Sequence, residues 1–134
     1  MRKVHLTLIV LPLLLVVSCS NETTQEKTAR LCTNLATLGS SVANLKSTNP
    51  NSTMGEFRTA EREVKTAFSE VQASARDVQD ARLDDLQAAN DNLDRAIEDI
   101  PNNATLQEAV ISISDEALAV EAAQAQLRSG LNCP

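Results

Sequence analysis

The sequence has no tryptophan and no tyrosine, and its only aromatic side chains are two phenylalanines. So few aromatic residues argue against a pocket that encloses a small organic ligand. The single histidine is His5, so the rest of the chain has no histidine for a catalytic triad or a histidine-based metal site. Glycine is scarce, and no glycine-rich phosphate loop occurs. We therefore expect neither an enzyme nor a cofactor-binding protein.

Basic residues are also in the minority, with 12 lysines and arginines against 18 acidic residues and a net charge of −6. An acidic chain of this kind is a poor candidate for binding nucleic acid or for electrostatic docking on anionic lipids. The common residues are alanine, leucine, glutamate, aspartate, glutamine and arginine, which favour helices over sheets. The composition therefore predicts an all-α fold.

The chain has one long apolar run, from Leu6 to Val17, and the cationic residues Arg2 and Lys3 precede it. The run is 12 residues long, which is too short to span a bilayer core, since that takes ~20 residues. It ends in the segment 16–19, Val-Val-Ser-Cys. This segment resembles the lipobox of bacterial lipoproteins, which has a branched apolar residue, a permissive residue and a small residue before the cysteine.

The resemblance implies that residues 1–18 are a cleaved signal peptide, that Cys19 carries palmitate-type acyl chains, and that residues 19–22 form a tether. Two or more acyl chains anchor a protein stably to a membrane. The domain 23–134 would then lie outside the cytoplasm in the cell envelope, and the mature chain 19–134 would have a net charge of −8 after loss of the two basic residues of the signal peptide. Ser20 implies sorting to the outer membrane in a bacterium with two membranes, and otherwise the outer face of the plasma membrane. An ordinary secretory signal with an incidental cysteine is the alternative.

Two cysteines remain after Cys19, namely Cys32 and Cys133. In an oxidising compartment a remaining pair predicts a disulfide, and two separate thiols are the alternative. A zinc site would need further ligands that the sequence does not supply.

Turn-forming segments at residues 47–52 and 101–103 divide the domain into three parts. Each part begins with a threonine followed three residues later by glutamate, which is a capping box; the pairs are Thr23 with Glu26, Thr53 with Glu56, and Thr105 with Glu108. Apolar residues then recur in steps of three and four. The patterns predict helices over residues 23–46, 54–100 and 104–129.

No proline or glycine interrupts residues 56–100, so we expect one long central helix of ~45 residues and ~67 Å. Its apolar stripe resumes at Leu86, one residue late after Val78, which is a stutter in a coiled coil. The two shorter helices would both turn back on it and lie parallel to each other. Cys32 and Cys133 would then lie at the same level along the central helix. This predicts an elongated antiparallel bundle or coiled coil of three helices closed by the disulfide. The alternative is a compact four-helix bundle with the central segment bent near residues 82–85.

One candidate site is acidic. Asp91, Asp94 and Glu98 share a helix face within the acidic segment 77–99. A divalent cation could bind there, because hard cations take clustered oxygen ligands. A solvated helix face explains the pattern as well.

A second candidate site is apolar. Ile111, Leu118 and Ala125 form a second apolar line on the last helix, which could pack on the first helix, mediate self-association or bind another envelope protein. The sequence therefore predicts a non-catalytic lipoprotein that acts by helix-mediated contact as an adaptor or structural element. The alternative is a lipoprotein that binds a small ligand or a cation.

Overall fold

The computed structural model describes residues 21–47, 51–79 and 81–134, which form four α-helices. Their bounds are α1 Thr24–Lys46, α2 Met54–Ala75, α3 Asp84–Glu98 and α4 Leu106–Gly130. The all-α class is confirmed. The favoured prediction of three helices is wrong, and the four helices agree with the alternative, a four-helix bundle. The predicted signal peptide, residues 1–18, and Cys19 lie outside the described residues.

Capping boxes start three of the helices, as predicted. The hydroxyls of Thr23, Thr53 and Thr105 each accept a hydrogen bond from a glutamate backbone N–H at 3.2 Å. The same glutamates accept from the threonine N–H groups at 2.6–2.8 Å. Helix α3 differs, because Leu83 precedes it and makes no side-chain capping bond.

The segment 76–83 separates α2 from α3, so the long central helix does not exist. A helix continuing in phase from Val78 would place Arg82 and Asp85 against the core, where burial of an unpaired charge is costly. Because the helix ends first, Val78 and Leu86 are both buried, and Arg82 and Asp85 are exposed. The late return of the apolar stripe is therefore a break between helices and not a stutter.

Helices α1 and α2 form an antiparallel hairpin. The side-chain amide of Asn34, near the middle of α1, donates to the carbonyl oxygen of Glu70 at 3.1 Å and to the hydroxyl of Ser74 at 3.0 Å. Helix α3 then runs back beside α2, and Gln72 Nε2 donates to Gln87 Oε1 at 2.6 Å.

Helices α1 and α4 are also antiparallel, and the predicted parallel arrangement is wrong. Cys32, in the first half of α1, is bonded to Cys133, which follows α4. Lys46, at the end of α1, instead pairs with Glu121, which lies further back along α4. The parallel prediction depended on an unbroken central helix, and the break at 76–83 reverses the direction of everything that follows. The fold is an up-down-up-down bundle of four helices.

The core draws on all four helices. The closest packing is between α1 and α2, α3 and α4, and α1 and α4. The pair α2 and α3 is held less closely. The largest fully buried side chains are Phe57, Leu31, Leu35, Leu38, Leu45, Leu86, Leu93, Ile113, Val42, Val64, Val71 and Val120.

One polar side chain lies in the seam between α1 and α4. Gln124 interrupts the apolar stripe of α4 and is 7% exposed, and its Nε2 donates to the carbonyl oxygen of Leu35 at 2.9 Å. Gly39 faces it, and a Cβ built on that glycine would lie 3.3 Å from the same nitrogen. The glycine therefore allows the glutamine to lie close against α1.

The predicted disulfide between Cys32 and Cys133 is confirmed, with a Cα–Cα distance of 5.5 Å. It joins the third turn of α1 to the segment that follows α4. That segment also bonds to the end of α4, since Cys133 N donates to the Arg128 carbonyl at 2.9 Å and Arg128 Nη2 donates to Pro134 O at 2.8 Å.

Candidate functional site

The outward face of α4 carries the predicted line of apolar residues. Ile111 is 65% exposed and Leu118 is 53% exposed, and they are the only large hydrophobic side chains in the described residues that are exposed. Ala122 and Ala125 continue the same face and are also exposed. We call these four residues the outer strip. The line does not pack on α1, because the opposite face of α4 is the one that is buried.

The surroundings of the outer strip have a net negative charge. On the side facing α1, Glu121 pairs with Lys46 at 2.6 Å, so its charge is balanced. On the side facing α3, Asp115 is exposed and lines a shallow groove together with Asp99 and Arg95. A ligand helix on the strip would therefore meet apolar contacts in the centre and a negative charge on one side.

The acidic face of α3 forms hydrogen bonds along its own helix. Asp91 accepts from Gln87 Nε2 at 2.9 Å, and Asn90 Nδ2 lies 3.5 Å from a carboxylate oxygen of Asp94. Within the part of the chain that the structure describes, no group of three histidine, cysteine or acidic side chains is arranged to hold a metal ion. Asp91, Asp94 and Glu98 all belong to that part, so the structure gives a cation site there no support.

Charged side chains of α2 act on the acidic face of α3 across the less closely packed interface between these two helices, which we call the seam. Partial burial opposes ionisation of Glu61, but hydrogen bonds from Lys65 and Arg58, both at 3.0 Å, outweigh it and lower the pKa of Glu61. Burial raises the pKa of Asp94, and neighbouring carboxylates raise it further, against the attraction of Lys65. The seam thus contains a carboxyl group, that of Asp94, whose ionised form is disfavoured.

Asn90 lies beside Asp94 and is 3% exposed, and its side-chain carbonyl oxygen has no hydrogen-bond partner among the described residues. Buried amide oxygens usually have one. Together with the unfavourable charge of Asp94, this leaves two neighbouring polar groups of α3 poorly satisfied.

A groove of about 410 Å³ lies between α1 and α2. Hydroxyl groups line it, from Thr37, Ser41, Thr59 and Thr66, with Arg62 and Glu63 at its edge. The hydroxyls of Thr37 and Thr59 donate to carbonyl oxygens of their own helices at 3.1 Å, and hydroxyl side chains are weak nucleophiles unless a base activates them. The groove is the surface depression between the rows of side chains that α1 and α2 each present to solvent.

No protein-family profile, curated protein or solved structure matches this chain. None of the described helices has an apolar stretch long enough to cross a membrane. The two described cysteines are bonded to each other, so neither supplies a thiolate.

Sequence reasoning located the outer strip but missed the polar features of the core. The interruption of the α4 stripe at Gln124 was the visible signal, because a polar residue in the buried register needs a partner. Asn90 likewise occupies a buried position of α3, between Leu86 and Leu93 in the helical repeat. Both positions follow from the three-and-four spacing once α3 is recognised as a separate helix.

Proposed function

We propose that this protein is a lipid-anchored lipoprotein of the bacterial cell envelope that has no catalytic activity. It acts by binding a helix of another envelope protein through the outer strip of α4. The observation that carries the proposal is the exposure of Ile111 and Leu118, at 65% and 53%. Because these two side chains line up on one face of α4, they give a second helix apolar groups to contact.

The compartment is supported by two independent features. The segment 16–19 resembles a lipobox, and Cys32 is bonded to Cys133 across 101 residues of sequence. Disulfides of this kind persist outside the reducing cytoplasm. An acylated Cys19 would leave these two thiols to pair with each other.

The spacing of the outer strip favours a helical partner. Ile111, Leu118 and Ala125 recur every seven residues, which is the repeat of helix pairing. Ala122 and Ala125 have small side chains, so a second helix could approach closely at that end of the strip. Helix-in-groove recognition of this type uses apolar anchors on one face of the bound helix.

The charge of the domain favours a partner with basic residues beside its apolar face. The mature chain would carry a net charge of −8, and Asp115 lies next to the strip, so a second copy of the chain would be repelled at low salt. A helix with lysine or arginine flanking its apolar residues would instead be attracted. We therefore assign the strip to a different protein and not to self-association.

Site-specific photocrosslinking in the native envelope tests this proposal. A photoreactive phenylalanine analogue is placed at Leu118, and the matched control carries it at Ser69, an exposed position on α2. We expect a crosslink to one protein from position 118 only, and mass spectrometry should place it in an amphipathic helix with basic flanks. A crosslink to a second copy of the chain, equal crosslinking from both positions, or none from either would refute the proposal.

The anchor has its own test. Mass spectrometry of the purified N-terminus should show acyl chains on Cys19, and Cys19→Ser should release the protein from membranes while Ser20→Ala leaves it bound. An unmodified N-terminus in the wild type would contradict the anchor without bearing on the strip.

A further inference from the structure

The up-down-up-down arrangement places three separate chain segments at the end of the bundle where α1 begins. These are residues 21–30, residues 76–79 with 81–85, and residues 128–134, which we call the tether end. The three segments share surface depressions, since Lys27 and Asp77 line one and Arg82 and Gly130 line another. The opposite end holds the two loops that join α1 to α2 and α3 to α4.

Charge is distributed unequally between the tether end and the rest of the bundle. The tether end has five basic and five acidic residues, whereas the remainder of the described domain has five basic and twelve acidic. The basic residues of the tether end are Lys27, Arg30, Arg76, Arg82 and Arg128. The described residues of the tether end thus have no net charge, and those of the remainder carry −7.

The tether is short compared with the bundle. Four peptide units separate Cys19 from Thr23, so their Cα atoms are at most ~14 Å apart. Helix α1 has 23 residues and is ~34 Å long. A lipid on Cys19 therefore holds the tether end near the membrane, but the remainder of the bundle could either stand away from the surface or lie along it.

Electrostatics distinguishes these two orientations. Anionic lipids create a negative potential that decays within about a Debye length, ~8 Å at physiological ionic strength. A bundle lying on its side would bring the acidic remainder into that layer, and a bundle standing on the nearly neutral tether end would keep it outside. The upright orientation is therefore lower in energy on an anionic surface.

We infer that the bundle stands upright on the lipid headgroups, with the tether end as its membrane-facing surface. This inference rests on the proposed acylation of Cys19. It deepens the proposed function by placing the outer strip above the membrane, since Leu118 and Ile111 lie ~18 Å and ~28 Å along α4 from Gly130. A partner helix would then meet the strip outside the headgroup layer.

Energy transfer from single tryptophans measures the orientation, and the absence of tryptophan from the chain makes each introduced one unique. The acylated full-length protein is placed in phosphatidylcholine vesicles containing phosphatidylglycerol and a dansyl-labelled headgroup lipid. Gln79→Trp reports the tether end and Asn102→Trp reports the opposite end, and both positions are exposed. Matching thermal unfolding midpoints would show that each variant is folded.

Because the ends are ~30 Å apart and transfer falls steeply with distance, we expect transfer from the tryptophan at position 79 to exceed that from position 102 by at least about threefold. The ratio should fall when phosphatidylglycerol is omitted. Equal transfer from both positions of an acylated protein would overturn the inference and leave the anchor intact. A protein that mass spectrometry shows to be unacylated would overturn the anchor, and the inference with it.

Discussion

Loss of the disulfide should destabilise this domain strongly. The perturbation is the double variant Cys32→Ala/Cys133→Ala, which removes a crosslink between residues 101 positions apart. Without it the unfolded chain has many more conformations, while the four helices keep their packing. The variant should therefore lose stability mainly through its unfolded state.

The magnitude follows from the length of the closed loop. For about 100 residues the chain-entropy model gives ~4.7 kcal/mol at 25 °C, and measured losses are often smaller, so we expect about 3–4 kcal/mol. The free energy of unfolding of a domain of this size is on the order of 5–15 kcal/mol. The thermal midpoint should fall on the order of 15 °C.

Urea unfolding followed by circular dichroism at about 222 nm, where helices absorb, measures the loss. The wild type is compared with the double variant and with wild type under reductant, and the last two should unfold at the same urea concentration. The slope of free energy against urea should be larger without the crosslink, because the unfolded chain exposes more surface. A difference below about 1 kcal/mol would show that the loop is already constrained in the unfolded chain and would refute this reasoning.

Three smaller predictions concern the helices themselves. Gly39→Ala should raise the free energy of unfolding by less than the ~1 kcal/mol expected for a helix interior, because its Cβ would lie 3.3 Å from Gln124 Nε2. In a Gln124→Ala background the same substitution should give the full increase. Equal increases in the two backgrounds, measured by chemical denaturation, would contradict the contact. Thr105→Ala should cost about 1 kcal/mol by loss of the cap of α4, a cost that thermal unfolding measures and that a neutral result would exclude. The folded-state pKa of Asp94 is raised, so its ionised carboxylate destabilises the folded domain fully above that pKa and not at all below the unfolded-state pKa. Asp94→Asn should therefore stabilise the domain slightly at pH 7 and not at low pH. Urea midpoints that differ equally between variant and wild type at both pH values would count against this prediction.

Local signals predicted the helix starts and the disulfide. The capping threonines bond to residues three positions away, so the helix starts can be predicted from the neighbouring sequence alone. The pairing of Cys32 with Cys133 followed from counting the cysteines that remain after Cys19 in a chain predicted to lie in an oxidising compartment. Its geometric support was wrong, however, because α1 and α4 are antiparallel.

The end of α2 could not be read from turn formers, since residues 76–83 contain neither glycine nor proline. The helix ends there because continuing it would bury Arg82 and Asp85, which is a tertiary cost and not a local preference. The position of Asn90 and the loose packing of α3 on α2 also depend on this break. The outer strip was predictable because a second apolar line on α4 exceeds what one buried face requires.

Helix α3 begins without a side-chain cap, is the shortest of the four at 15 residues, and contains the unpartnered oxygen of Asn90. Isolated helices of that length are marginal in water, so α3 depends on its packing against α4 to persist. Its first turns should therefore open more often than the rest of the bundle, and their amide hydrogens should exchange with solvent first. Such openings would remove part of the packing beneath α4, so that the outer strip could adjust to the proposed partner helix while the rest of the bundle stays folded.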